Sequence, residues 1–163
     1  MTAPVVIFAI GNPSRGDDAL GPHLLARLSE WLTEEGLGAD FELIEDFQLQ
    51  IEHALDLRER RLALFIDAGE RTPAPFVFTP VAPSAGLSHT SHALSPAAVL
   101  QVYTRTENAL PPPAFLLAIR AESFELGEAL SESAQEFADS AFALLTRLCQ
   151  HPSLDAWRAV TRC

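Results

Sequence analysis

Two adjacent aspartates, Asp17 and Asp18, lie inside a glycine-rich stretch, 11-GNPSRGDDALG-21, that directly follows the apolar run 4-PVVIFAI-10. Glycines after a strand suggest a phosphate cradle. This stretch is neither G-x-x-x-x-G-K-[ST] nor G-x-G-x-x-G, because acids stand where Lys and Ser/Thr would be. A phosphate needs N–H donors and positive charge, so two carboxylates repel it unless a cation bridges. A metal reading suits the residues better. Asp67 ends the apolar run 62-LALFID-67, and His92 lies in the Ser-, Pro-, Gly- and His-rich segment 82–94. Asp18, Asp67 and His92 would offer two oxygens and one nitrogen, a donor set for Zn, Ni, Mn or Fe(II) with positions open for water or substrate. Against this, a single aspartate at a strand end is commonly a turn former or helix cap.

Nucleophilic catalysis has less support. There is no G-x-S-x-G elbow, and the adjacency of Ser88 and His89 defines no geometry. Cys149 falls in the last long helical pattern and Cys163 is the final residue, so neither reads as a nucleophile. His23, His53 and His151 read as histidines of helix ends or surface.

The elements that must position the acids follow from hydrophobic periodicity. Strands are expected at 4–10, 41–46, 62–69, 76–81 and 114–120; Pro80 makes the fourth an edge strand. A helix is expected from Pro22 to Glu35, with Gly21 near its cap and Leu24, Leu25, Leu28, Trp31 and Leu32 at helical spacing. A short helix is expected from Gln50 to Arg60, with Ile51, Leu55 and Leu57 on its apolar side. A third follows Ser95-Pro96 and runs to Tyr103, and a fourth runs to Cys149 from a capping box of Ser133 and Glu136. Strand–helix alternation throughout predicts one α/β domain over 1–150. Its twisted, mostly parallel sheet would have about five strands and helices on both faces. Residues 151–163 read as a C-terminal tail that frays. In such sheets ligands bind outside the carboxyl ends of the strands, the rim that Asp18, Asp67 and His92 share.

Composition narrows the partners. The 163 residues include 22 Asp and Glu against 11 basic residues, a net charge of −11. That field repels nucleic acid and anionic membranes, and fits a small-molecule, metal or basic-peptide partner. No apolar run approaches the ~20 residues of a membrane span. The N-terminus lacks the basic start of a secretory signal, and two cysteines make no disulfide framework. A cytoplasmic protein with free thiols is expected.

Taken together, 11-GNPSRGDDALG-21, 62-LALFIDA-68, 91-SHALSP-96 and 118-AIRAESFELGEALS-131 resemble the hydrogenase maturation proteases, endopeptidases that trim the C-terminal extension of the nickel–iron hydrogenase large-subunit precursor. The resemblance runs in order from about Val5 to Cys149, and 46-DFQLQIEHALDL-57 looks most like the branch serving soluble, NAD-reducing hydrogenases. It implies an aspartyl-type hydrolase that acts after nickel insertion, as a nickel-dependent checkpoint. The metal would be recognised in the precursor rather than held as a resident cofactor, and other divalent ions would suit the same ligands.

The family's metal-contacting acid, strand-end Asp and loop His fall on Asp18, Asp67 and His92, with His89 as the rival imidazole. Asp18 and Asp67 carry the catalytic expectation, and Gly11, Asn12, Asp17 and Asp46 the substrate-binding one. Asp17 also reads as the residue that supports the turn or caps backbone N–H groups. The family's D-G-G-T-like turn is replaced by 45-EDFQLQ-50. If that turn reads the substrate, this chain reads a different precursor, or reads it differently. Two other readings stand beside this one. One is a nickel-sensing chaperone that cuts nothing. The other is a peptidyl-tRNA hydrolase-like enzyme, which also opens with a strand and a G-N-P turn but should carry a basic surface for RNA.

Overall fold

A computed structural model describes residues 2–84 and 94–162. Five strands form one sheet: β1 (Val5–Ile10), β2 (Phe41–Asp46), β3 (Leu62–Gly69), β4 (Phe76–Val81) and β5 (Ala114–Arg120), in the order β2-β1-β3-β5-β4. All pairings are parallel except β4 with β5. The antiparallel strand is the edge strand that carries Pro80, where a missing N–H costs no ladder bond. Every residue of β1 is buried, as its continuous apolar run requires of a central strand covered on both faces.

Alternate residues of the strands feed two cores. Val5, Ile7, Leu62, Leu64, Ile66, Phe115 and Leu117 pack with α1 (Leu20–Glu34), α3 (Glu132–Gln150) and α4 (Leu154–Thr161). Val6, Phe8, Ala63 and Phe65 pack on the other side with α2 (Pro96–Glu107) and with the 3₁₀ helix Ile51–Leu57. The expected single α/β domain, mostly parallel with helices on both faces, is the observed fold.

Four local expectations need correction. Helix α1 begins at Leu20 rather than Pro22, because a 3₁₀ turn, Gly16–Ala19, runs straight into it. Pro22 then sits in the first turn, whose N–H groups lack helical partners anyway. Helix α3 is capped by Ser131 rather than Ser133: the Ser131 Oγ accepts from the Ala134 N–H at 3.2 Å. The segment after residue 50 is 3₁₀. His53, Ala54 and Leu57 are buried, while Ile51 and Leu55 face solvent.

Residues 151–162 are no fraying tail. Ser153 caps α4, and Trp157 is fully buried against Phe78 and Phe115, its Nε1 donating to the Leu148 carbonyl at 3.0 Å. Cys149 is a free, buried thiol whose pKa burial pushes up to about 12, which removes it as a nucleophile.

Candidate active site

The chain leaves β1 toward β2 on one side, and leaves β3 toward β4 and β5 on the other. The carboxyl ends of β1 and β3 therefore form the switch point of the sheet, where the two connections diverge and open a crevice. A cleft of about 420 Å³ lies there. It is lined by Ile10, Asp18 and Asp67, by Phe47, Gln48 and Leu49 after β2, by Leu94, Ser95 and Pro96 at the start of α2, and by Phe124.

Asp18 reaches the cleft through the turn after β1. Gly11 has φ +144°, and a Cβ there would stand 2.0 Å from the Asp18 carbonyl oxygen. Only glycine lets the chain fold back that closely. Gly21 is the second requirement: a Cβ would meet the Ile10 carbonyl oxygen at 2.6 Å, so its absence lets α1 start against the end of β1. One Asp18 oxygen, Oδ2, accepts from the Asn12 N–H at 2.8 Å. Asn12 in turn closes its own turn by accepting from the Ser14 N–H at 2.9 Å. Gly11 and Asn12 thus shape the turn that carries Asp18.

Asp67 arrives from β3, with Oδ1 accepting from the Ala68 N–H at 2.8 Å. Burial raises its pKa to about 7; the Ala68 hydrogen bond opposes the rise and the neighbouring charge of Asp18 adds to it. A carboxyl poised there carries a proton in a large fraction of molecules at neutral pH. Asp18 lines the same cleft as a second carboxyl, a pairing chemically suited to acid–base work. The two carboxylates are chemically apt for a divalent ion presented to the cleft. Among the described residues no group of three or more His, Cys, Asp or Glu is placed to hold a metal. His92 and His89 lie outside the described residues; Leu94, two positions after His92, lines the cleft.

Asp17, expected to bind substrate, does not line the cleft. It is fully buried, and its oxygens accept from the N–H groups of Glu122 (2.7 Å), Ser123 (3.2 Å) and Ser131 (2.8 Å) and from the Ser131 hydroxyl (2.9 Å). Burial alone would push its pKa up, but these four hydrogen bonds together hold it below the ordinary value. The carboxylate pins the β5–α3 connection, which carries Phe124, onto the turn that carries Asp18.

Asp46 is likewise engaged elsewhere. Its Oδ1 accepts from the Phe47 N–H at 2.7 Å, and its Oδ2 lies 3.4 Å from His53 Nε2. His53 Nδ1 accepts from the Gln50 N–H at 2.8 Å, which leaves the ring proton on Nε2, facing Asp46. Asp46 and the buried His53 brace the β2–3₁₀ connection, and Asp46 is not part of the cleft wall. The sequence signal for this bracing is the Gln50–His53 spacing of a capping box, which a helix-end reading of His53 does not capture.

The overall architecture has counterparts among solved structures. A [NiFe] hydrogenase maturation protease HycI from Thermococcus kodakarensis superposes with a TM-score of 0.66 at 24% identity, over 92% of this chain and 94% of that one. The hydrogenase maturating endopeptidase HybD from E. coli gives 0.64 at 17% identity, over 90% and 92%. The endopeptidase HycI from Escherichia coli gives 0.63 at 16%, over 91% of each. The fold is that of the hydrogenase maturation proteases. No protein-family profile matches the chain, and no curated protein sequence matches it significantly. At these identities the shared property is the fold, which spans nearly all of each chain.

Proposed function

We propose that this chain is a cytoplasmic aspartyl-type endopeptidase that removes the C-terminal extension of a nickel–iron hydrogenase large-subunit precursor after nickel insertion. The observation that carries the reading is the meeting of Asp18 and Asp67 in one cleft, at the switch point of a fold shared with maturation proteases. Nickel carried by the precursor is part of the substrate. Asp18, Asp67 and His92 are its proposed contacts, and they would admit no further step in a precursor without metal. The finer assignment to soluble, NAD-reducing hydrogenases belongs to the same proposal.

In the cleavage step, Asp18 takes a proton from the attacking water and passes it to the amine that departs as the C–N bond breaks, while Asp67 stays deprotonated as a contact to the nickel. The raised pKa of Asp67 favours a variant of this reading in which the pair works without metal. Cleavage that is equal for nickel-loaded and nickel-free precursor would select that variant.

The test uses purified protein and both forms of the precursor, with the shortened large subunit as readout. Wild type is expected to process the nickel-loaded form. Asp18→Ala is expected to slow processing at least about a hundredfold, the lower range for losing a general acid or base, and Asp67→Ala to slow it through loss of the nickel contact. His92→Ala is expected to erase the preference for the loaded form. Full processing by all three variants overturns the site. Tight binding of nickel-loaded precursor without release of a peptide would favour a chaperone.

A further inference from the structure

Beside the cleft, the protein leaves large apolar side chains in water. Phe47 is 61% exposed, Ile51 62% and Leu55 55%, on a segment whose other apolar residues, Leu49, Ala54 and Leu57, are buried. The segment is not loose: Asp46, Gln50 and His53 brace it with the hydrogen bonds and the Asp46–His53 contact described above. A rigid backbone that turns three large apolar groups outward marks an interaction surface. We infer that Phe47, Ile51 and Leu55 form a docking ridge for a segment of the cleaved protein rich in both apolar and basic side chains.

The place and the charge select this occupant. Phe47 lines the same cleft as Asp18 and Asp67, and Leu94 lines both that cleft and the shallow depression beside Gln50, Ile51 and Glu52. A polypeptide laid across the carboxylates therefore continues over the ridge. The ridge is set in acid. From Leu28 to Leu57 there are nine Asp and Glu residues and no Arg or Lys, and Glu45 and Glu52 flank the ridge exposed. The nearest arginines in sequence, Arg58 and Arg60, are paired with Glu107 and Glu42. Two copies of this surface repel one another, and an anionic lipid surface is repelled as well. A segment with Lys or Arg beside apolar side chains gains on both counts.

This inference rests on the endopeptidase reading, so binding and cleavage are measured separately. The probe is the nickel-loaded large-subunit precursor, titrated against wild type, the triple variant Phe47→Ser/Ile51→Ser/Leu55→Ser, and the charge-reversed Glu45→Arg/Glu52→Arg. These positions are exposed, so melting temperatures should match wild type and report that the fold is intact. The triple variant is expected to raise Kd at least tenfold. The charge-reversed variant is expected to raise Kd and to flatten its dependence on salt. Unchanged Kd in the triple variant overturns the ridge, as does failure of wild type to bind. Wild type that binds but does not cleave, with binding lost in the triple variant, overturns the endopeptidase reading and keeps the ridge. A wild-type dimer, or binding to anionic vesicles, that the triple variant abolishes overturns the choice of occupant.

Discussion

Asp17 and Asp18 are the same residue type in adjacent positions, and the structure gives them opposite work. Asp17 spends both oxygens on four donors inside the protein, while Asp18 keeps one oxygen for the cleft. Replacing Asp17 by Asn puts an NH₂ group among donors and leaves buried N–H groups unpaired. The expected cost is about 2–4 kcal/mol, from losing hydrogen bonds to a charged acceptor, measured as a fall in urea midpoint at pH 7. Asp17 and Asp67 also pull pH dependence in opposite directions. Asp17 has a lowered folded pKa, so its contribution is present above the ordinary value of 3.8 and is lost as pH falls through the lower folded value. Asp67 has a raised one, so its contribution is present below 3.8 and is lost as pH rises toward about 7. The stability advantage of Asp67→Asn over wild type should therefore grow between pH 4 and pH 7 and level off above, as read by denaturant titration across that range. A constant difference would mean that Asp67 has an ordinary pKa.

At the scale of elements, the structure assigns a core role to the C-terminal helix. α4 is eight residues long, too short to hold in isolation. It persists because Trp157 fills the space between Phe78, Phe115 and α3. Trp157→Ala is expected to cost about 3–5 kcal/mol, the range for deleting a buried large aromatic. Loss of the Trp157 fluorescence in this variant obliges the measurement to use circular dichroism. A loss below about 1 kcal/mol would show that α4 does not dock. The strands were legible because continuous apolar runs bounded by Gly, Pro and acids have few other uses. Helix starts were less legible. Ser131 and Ser133 are both good caps by type, and what separates them is that Asp17, 114 residues away in sequence, accepts from the Ser131 hydroxyl and N–H.

Across the whole molecule, the sequence by itself determined the alternation of elements, the edge placement of the Pro80 strand, and the presence of Asp18 and Asp67 at strand ends. These depend on local periodicity and turn chemistry, which neighbouring residues carry. The tertiary structure alone decided the strand order that makes β1 and β3 neighbours, and with it the shared cleft. It also decided which acids are free to do chemistry. Asp17 already reads from its place in the turn as a supporting residue, but Asp46 and Asp67 both lie at strand ends and their local sequence does not tell them apart. Buried donors from the β5–α3 connection claim the first, His53 claims the second, and burial beside Asp18 raises the pKa of the third. The partners that make these distinctions are distant in sequence, so only the folded chain, which brings them within hydrogen-bonding or Coulomb range, could draw them.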